Sequence, residues 1–234
     1  MKPILIFRHT ASEGPGYFGD YLNKRNISYQ VICVDTGEPV PTRCDKASAL
    51  VFMGGPMSVN DDLPWIAPEL ALIRQAINHN MPVLGHCLGG QLISKALGGT
   101  ISANPVKEFG WLDVKQQHNR AANEWLGALP PRFSAFHWHG ETFSIPPGAT
   151  NILASEHCPH QGFVTGNTLA LQCHVEMTAE LVRLWAQLHP DDIAVATPSI
   201  QTVEQMTENL DERITVLQDT ADKLYDAWLK RICS

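Results

Sequence analysis

The sequence predicts an α/β fold, a mostly parallel sheet flanked by helices, with a C-terminal amphipathic helical extension. Three observations carry this: short apolar runs near the N-terminus set off by glycine turns, a strand–turn–helix pattern around Cys87, and an apolar rhythm of three or four residues beginning near Ser199.

The early runs are Ile4 to Phe7, Tyr29 to Val34 and Ala49 to Met53, each followed by a glycine-containing turn and a polar stretch. That is the beat of parallel strands with crossovers. The segment from Pro68 to Asn80 sets Leu70, Ile73, Ala76 and Ile77 on one stripe and predicts an amphipathic helix. Met81 to Gly85 reads as a buried strand. Directly after Cys87, apolar residues at 88, 92, 93, 96 and 97 predict a second helix, stopped by Gly98-Gly99. Ala135 to Trp138 and Thr168 to Cys173 read as strands of a more antiparallel half, with proline-rich loops at 130–131 and 146–147. In the tail, apolar positions 200, 203, 206, 210, 214, 217, 221, 224 and 228 predict one long amphipathic helix. It packs on the domain's own surface or docks a partner or a second copy of the chain, and the sequence leaves both open. The organisation expected is one domain over 1–190 and a helical extension over 191–234.

Composition bounds the function. The chain has 234 residues, 44% hydrophobic and 18% charged, enough for a large packed core. A net charge of −7 and a pI near 5.8 leave no basic field to draw it onto phosphates or an anionic bilayer, so neither nucleic acid nor membrane is expected as a partner. The apolar run at the N-terminus is too short for a signal sequence and no 18-residue apolar stretch follows, which predicts a cytoplasmic protein. Six cysteines without a C-x-x-C pair read as free thiols, most of them small buried hydrophobes.

Gly85-His86-Cys87-Leu88-Gly89 has the form of a nucleophile elbow, in which flanking glycines let the nucleophile occupy a tight turn between strand and helix. At a helix N-terminus the macrodipole and free backbone N–H groups favour thiolate over thiol. Gln172-Cys173-His174-Val175-Glu176 supplies a base and its orienter, because residues i and i+2 of a strand share a face. Met53-Gly54-Gly55-Pro56-Met57-Ser58 follows a strand and can present a bare N–H beside a scissile carbonyl, joining that of Leu88 as an oxyanion hole. His137, His139 and Glu141 alternate on one strand face, with His157 and His160 nearby; neither a metal nor any other cofactor is expected there.

Together, Gly-His-Cys-Leu-Gly-Gly-Gln at 85–91, Gly-Gly-Pro-Met-Ser-Val at 54–59 and His-Val-Glu at 174–176 resemble class I glutamine amidotransferases, nearest to the stand-alone GMP-synthase-like branch. Glu13-Gly14-Pro15-Gly16, Pro64-Trp65, Ala96-Leu97-Gly98-Gly99, Glu108-Phe109-Gly110-Trp111 and His137-Trp138-His139-Gly140-Glu141 extend the likeness over roughly residues 1 to 180. The resemblance implies a flavodoxin-like sheet and a γ-glutamyl thioester mechanism. It makes Cys87 the nucleophile, His174 the base, Glu176 the orienter, and Gly55 and Leu88 the donors of the oxyanion amides. Gln91 matches the glutamine that helps seat the substrate. His137 and His139 fall beside the active-site mouth, where they bind the substrate's amino or carboxylate end or serve structure alone.

Two departures stand out. The usual glutamine-phenylalanine-histidine-proline-glutamate is Gln172-Cys173-His174-Val175-Glu176, and the usual glycine-histidine-glutamine after the cysteine is Gly89-Gly90-Gln91. Losing the proline frees a backbone N–H at Val175. Full GMP synthases continue into an ATP-pyrophosphatase domain; no phosphate-binding G-x-x-x-x-G-K-[ST] motif follows Glu176, so this chain is not expected to aminate XMP by itself. The implied substrate is glutamine or another γ-glutamyl compound. The ammonia passes to a separate synthetase subunit or is released by a self-sufficient hydrolase, the rival to both being a catalytically idle scaffold.

Overall fold

A computed structural model describes residues 2–232 of the chain. The first half alternates strands and helices: β1 (Ile4–Arg8), α1 (Gly16–Lys24), β2 (Tyr29–Cys33), β3 (Ala49–Phe52), α2 (Ile66–Asn78), β4 (Val83–His86) and α3 (Leu88–Ala96). The second half runs β5 (Ile101–Gln116), α4 (Arg120–Leu126), β6 (Arg132–Phe143), β7 (Thr150–Ser155), β8 (Gly162–Thr165), β9 (Thr168–Leu171), α5 (Ala179–Leu188), α6 (Val203–Thr207) and α7 (Leu210–Leu229). The strands form one sheet in the order β2-β1-β3-β4-β9-β8-β7-β5-β6. It is parallel from β2 to β9 and antiparallel from β9 to β6, an α/β sheet flanked by helices as the sequence predicts.

The parallel strands are buried on both faces, which is why β1, β3 and β4 read as unbroken apolar runs. One face packs on α2 and α3 through Phe7, Phe52, Ile73 and Leu92. The other packs on α1, α5 and α7 through Ile4, Phe18, Val51, Trp185 and Trp228. Helix α2 starts two residues before the predicted boundary, with Pro68 in its first turn, where the missing N–H has no intrahelical acceptor to lose. It ends at Asn78, and just beyond it Asn80 adopts φ 54, while the Met81 N–H returns to the Ala76 carbonyl at 2.9 Å.

The tail departs from its prediction. The single helix expected from Ser199 is two, because Asn209 sits at φ 50 and turns the chain between α6 and α7. Ile200 belongs to neither helix, forming a bridge with Phe109 of β5. Val203, counted on the apolar stripe, is 40% exposed. From Leu210 onward the periodicity holds: Leu217, Leu224, Tyr225 and Trp228 are buried against the chain's own core. That stripe is therefore covered from within and is not free to join a second copy. Among the described residues no helix is long and apolar enough to cross a membrane. Cys44, Cys87, Cys158 and Cys173 are buried free thiols and Cys33 is half-buried; Cys233 and the end of the 191–234 extension lie outside the described residues.

Candidate active site

Strands β3, β4 and β9 are neighbours, and all three end at the same edge of the sheet. Beyond those carboxyl ends lie Gly54-Gly55, Cys87 and His174, the place where open α/β sheets form their crevice. Cys87 closes the turn between β4 and α3 with φ 49 and ψ −108, a conformation costly for a residue with a Cβ. Its own N–H donates to the Leu171 carbonyl at 2.8 Å, so the strand ladder runs up to the turn. The surrounding glycines are required by contact. A Cβ on Gly85 would meet the backbone of Gly89 and Gly90, one on Gly89 would collide with the Phe52 carbonyl, and one on Gly90 with that of Leu171.

His174 and Glu176 extend the line of β9. His174 exchanges backbone hydrogen bonds with Phe136 of β6, at 2.8 and 3.2 Å. Its Nδ1 donates to Oε1 of Glu176 at 2.5 Å, which leaves Nε2 facing Cys87 with no hydrogen-bond partner among the described residues. Burial alone would lower the His174 pKa, but Glu176 and then Cys87 outweigh it and hold the imidazolium well above its usual range. Burial likewise works to raise Glu176, and His174 and His86 override it, bringing the carboxyl down to about 2. The other oxygen, Oε2, accepts from the Val175 N–H at 2.9 Å. The position that lacks the usual proline thus donates a hydrogen bond to the carboxylate beside it.

Gly55 and Leu88 lie side by side: a Cβ on Gly55 would stand 2.9 Å from Cδ2 of Leu88. Neither backbone N–H donates a hydrogen bond among the described residues, so both remain available to an anionic oxygen. Behind them His9 braces the loop, its Nδ1 3.3 Å from the Gly54 carbonyl and its Nε2 3.0 Å from Oε2 of buried Glu69. Gln91 turns its amide nitrogen to the Glu141 carbonyl and to Oε1 of Gln172, at 3.4 and 3.2 Å. Nε2 of Gln172 stands 3.5 Å from the Cys87 sulfur. A cavity of about 380 Å³ opens over these groups, lined by Cys87, His174, Gly55, Gln91, Glu13 and Trp138 among others.

The two histidines expected at the mouth sit differently. His137 is fully buried and does not line the cavity, and burial lowers its pKa to about 3. His139 reaches the wall, yet both ring nitrogens are engaged, Nδ1 with the Glu141 carbonyl at 3.0 Å and Nε2 with Glu108 at 2.9 Å. With Glu108 they bring three potential metal ligands together. Both oxygens of the Glu108 carboxylate are already engaged, Oε2 with Gln161 and His139 and Oε1 with Ser155. We read the trio as a strut joining β5, β6 and the β7–β8 connection. The imidazoles' alternation on β6 drew attention to them, but the side-chain partners of His139 come from residues 108 and 161, which strand periodicity does not reveal, and neither ring nitrogen of His137 has a hydrogen-bond partner among the described residues.

Three further groups frame the site without having been singled out by function. Glu13, from the loop before α1, enters the cavity beside His174. Trp185 of α5 meets the His174 ring edge to face at 4.9 Å and donates through Nε1 to the Ser12 carbonyl at 3.0 Å. His86 lies behind Glu176, its Nε2 3.7 Å from Oε2 and 3.2 Å from the hydroxyl of Tyr225 on α7.

The arrangement can add a sulfur nucleophile to a carbonyl, stabilise the oxyanion on two amides and pass a proton through an imidazole. Comparison with known proteins points the same way. The profile of the family described as glutamine amidotransferase class-I matches residues 19–182. A glutamine amidotransferase-like protein of Salmonella typhimurium, YfeJ, is 30% identical over 80% of this chain and 81% of its own length. The GMP synthase of Aromatoleum aromaticum is 29% identical over 56% of this chain, which spans 26% of that enzyme. The solved glutamine amidotransferase of Methylobacillus flagellatus superposes with a TM-score of 0.95 at 44% identity, covering 99% of this chain and 95% of that one.

Proposed function

The chain belongs to the class I glutamine amidotransferase family, and from that premise we propose that it hydrolyses the γ-amide of glutamine or of another γ-glutamyl compound through Cys87, His174 and Glu176. The observation that carries this reading is the strained Cys87 elbow facing a histidine whose other nitrogen is held by a buried carboxylate.

The Cys87 thiolate adds to the γ-carbonyl, and the oxyanion takes hydrogen bonds from the Gly55 and Leu88 amides. The C–N bond breaks as His174 hands its proton to the leaving nitrogen, and a γ-glutamyl thioester remains. Water then adds to the thioester, giving its proton to His174; the C–S bond breaks and glutamate leaves. Glu176 fixes the tautomer of His174 and stabilises the imidazolium. Gln91, which lines the cavity, contacts the substrate.

The ammonia enters water or passes to a separate synthetase subunit. Ammonia release from purified protein, measured with glutamine and a panel of γ-glutamyl amides, tests the reaction, alongside mass spectrometry for an acyl adduct on Cys87. Turnover that rises on adding a synthetase assigns the transfer role; unaided turnover assigns the hydrolase. Neither ammonia nor adduct with any donor would sink the proposal.

A further inference from the structure

Glu13 is the one acidic side chain of the cavity wall placed next to His174 that the triad chemistry does not use. Its loop is pinned at three points to the catalytic elements. The Ser12 carbonyl accepts from Trp185, whose ring packs on His174. The Tyr17 N–H donates to the Glu176 carbonyl at 2.8 Å. Gly16, at φ 50, lies so close to the Glu176 carbonyl that a Cβ there would overlap it. Between these ties the Glu13 carboxylate is pressed against Gly54, where an added Cβ would collide with Oε2 and stand 3.2 Å from Cε1 of His174. No donor among the described residues hydrogen-bonds to it.

A carboxylate so placed is electrostatically unwelcome. The groups facing it are His174 and Glu176 on the β9 extension and His9 just after β1, with Cys87 lining the same cavity. Glu176 and Cys87 already flank the His174 ring, and His9 is matched to Glu69. Burial and Glu176 together raise the Glu13 carboxyl to about 7, against the pull of His174 and His9. An unpartnered acceptor held rigidly in a site at such cost calls for a donor from the substrate.

The side on which it stands identifies that donor. The leaving nitrogen must lie next to Nε2 of His174, which protonates it, while the γ-oxygen lies on the amides of Gly55 and Leu88. Glu13 borders both His174 and Gly54 of the Gly54-Gly55 turn, whereas Gln91 is engaged with the Glu141 carbonyl and Gln172. We propose that Glu13 is a further catalytic residue, its carboxylate accepting an N–H of the scissile amide and holding the leaving nitrogen in line with His174 as the C–N bond breaks. The residue thereby favours donors whose leaving group carries an N–H. This rests on the glutaminase-type reading above. No proton changes hands at Glu13 in the step: the thiolate adds, His174 supplies the proton, and the amine departs from between the imidazole and the carboxylate.

The test compares wild type, Glu13→Gln and Glu13→Asp on glutamine and on glutamate γ-methyl ester, which builds the same thioester but releases an alcohol with no N–H. Glu13→Gln should lose about 10- to 100-fold in kcat/KM on glutamine, the range of one charge-assisted hydrogen bond, and keep or improve its rate on the ester. Retained ester turnover also certifies that the variant is folded with a working triad. Equal losses on both donors would overturn the proposal in favour of a structural role, as would unchanged glutamine turnover. Glutaramate, which lacks the α-ammonium, separates the remaining alternative: an effect of Glu13→Gln that vanishes on glutaramate assigns Glu13 to the ammonium and overturns the leaving-group role. Wild type inactive on glutamine, on the ester and on every other γ-glutamyl donor of the panel would refute the underlying reading instead.

Discussion

Cys87 is the residue whose chemistry follows most directly from its surroundings. Five of the six cysteines are described, and burial pushes the thiols of Cys44, Cys158 and Cys173 up, that of Cys173 furthest. Cys173 neighbours His174 in sequence but faces the opposite side of the strand, into the core. Iodoacetamide near neutral pH should therefore modify Cys87 first, with loss of activity tracking that single adduct; faster labelling of Cys173 or Cys158 with activity intact would refute the assignment. If the proposed mechanism holds, replacing the two residues should differ: Cys87→Ala is expected to remove about 10⁶ in turnover and Glu176→Ala about 10⁴, by analogy with serine triads. Equal residual rates in two folded variants would mean that Glu176 does more than orient. These residues were legible because their signals are local, a glycine-flanked turn and an i, i+2 pair. Glu13 was visible only as part of a resembling motif, since its place depends on Trp185 and Glu176, both more than 150 positions away in the chain.

Among the elements, α7 reads differently in the fold than in the sequence. Its apolar spacing was plain, but periodicity does not say what covers a stripe, nor does it register that Asn209 breaks the run. The partners are the chain's own α1 and β4: Tyr17 and Tyr21 donate to Asp222 and Asp226 at 2.8 and 2.6 Å, and Trp228 donates to the Val83 carbonyl at 3.2 Å. Trp228→Ala should cost about 3–5 kcal/mol of stability, as for other buried large-to-small changes, readable in urea unfolding. Truncation after Pro198 should for the same reason yield insoluble protein. The helix also reaches the site, through the Tyr225 hydroxyl, His86 and Glu176. Tyr225→Phe keeps the ring in the core and deletes one hydrogen bond, so kcat is expected to fall by up to about tenfold with KM little changed. Unchanged kcat would show that α7 supports the triad by packing alone.

For the whole molecule, the parallel half was legible as a class but its strand order was not, because β9 joins β4 from 82 positions downstream and periodicity carries no pairing information. That junction is what sets His174 beside Cys87, and the charges it gathers should appear in global stability. The sign follows from each group. Glu176, depressed from 4.5 to about 2, stabilises the fold above pH 4.5 and loses that contribution only as pH falls toward 2. Glu13, raised from 4.5 to about 7, acts in the opposite sense: the unfolded chain releases this proton first, so stability declines as pH climbs from 4.5 through 7. Glu13→Gln cannot ionise and escapes that decline. Its stability advantage over wild type should therefore widen by on the order of 1–3 kcal/mol between about pH 5 and about pH 8, while contributions from Glu176 are constant there and those of His174 and His9 are largely shared by the two proteins. Paired urea melts at the two pH values measure it. A difference that stays flat or narrows would mean that Glu13 ionises like a solvent-exposed carboxylate, and with it would go the electrostatic half of the argument for its catalytic role.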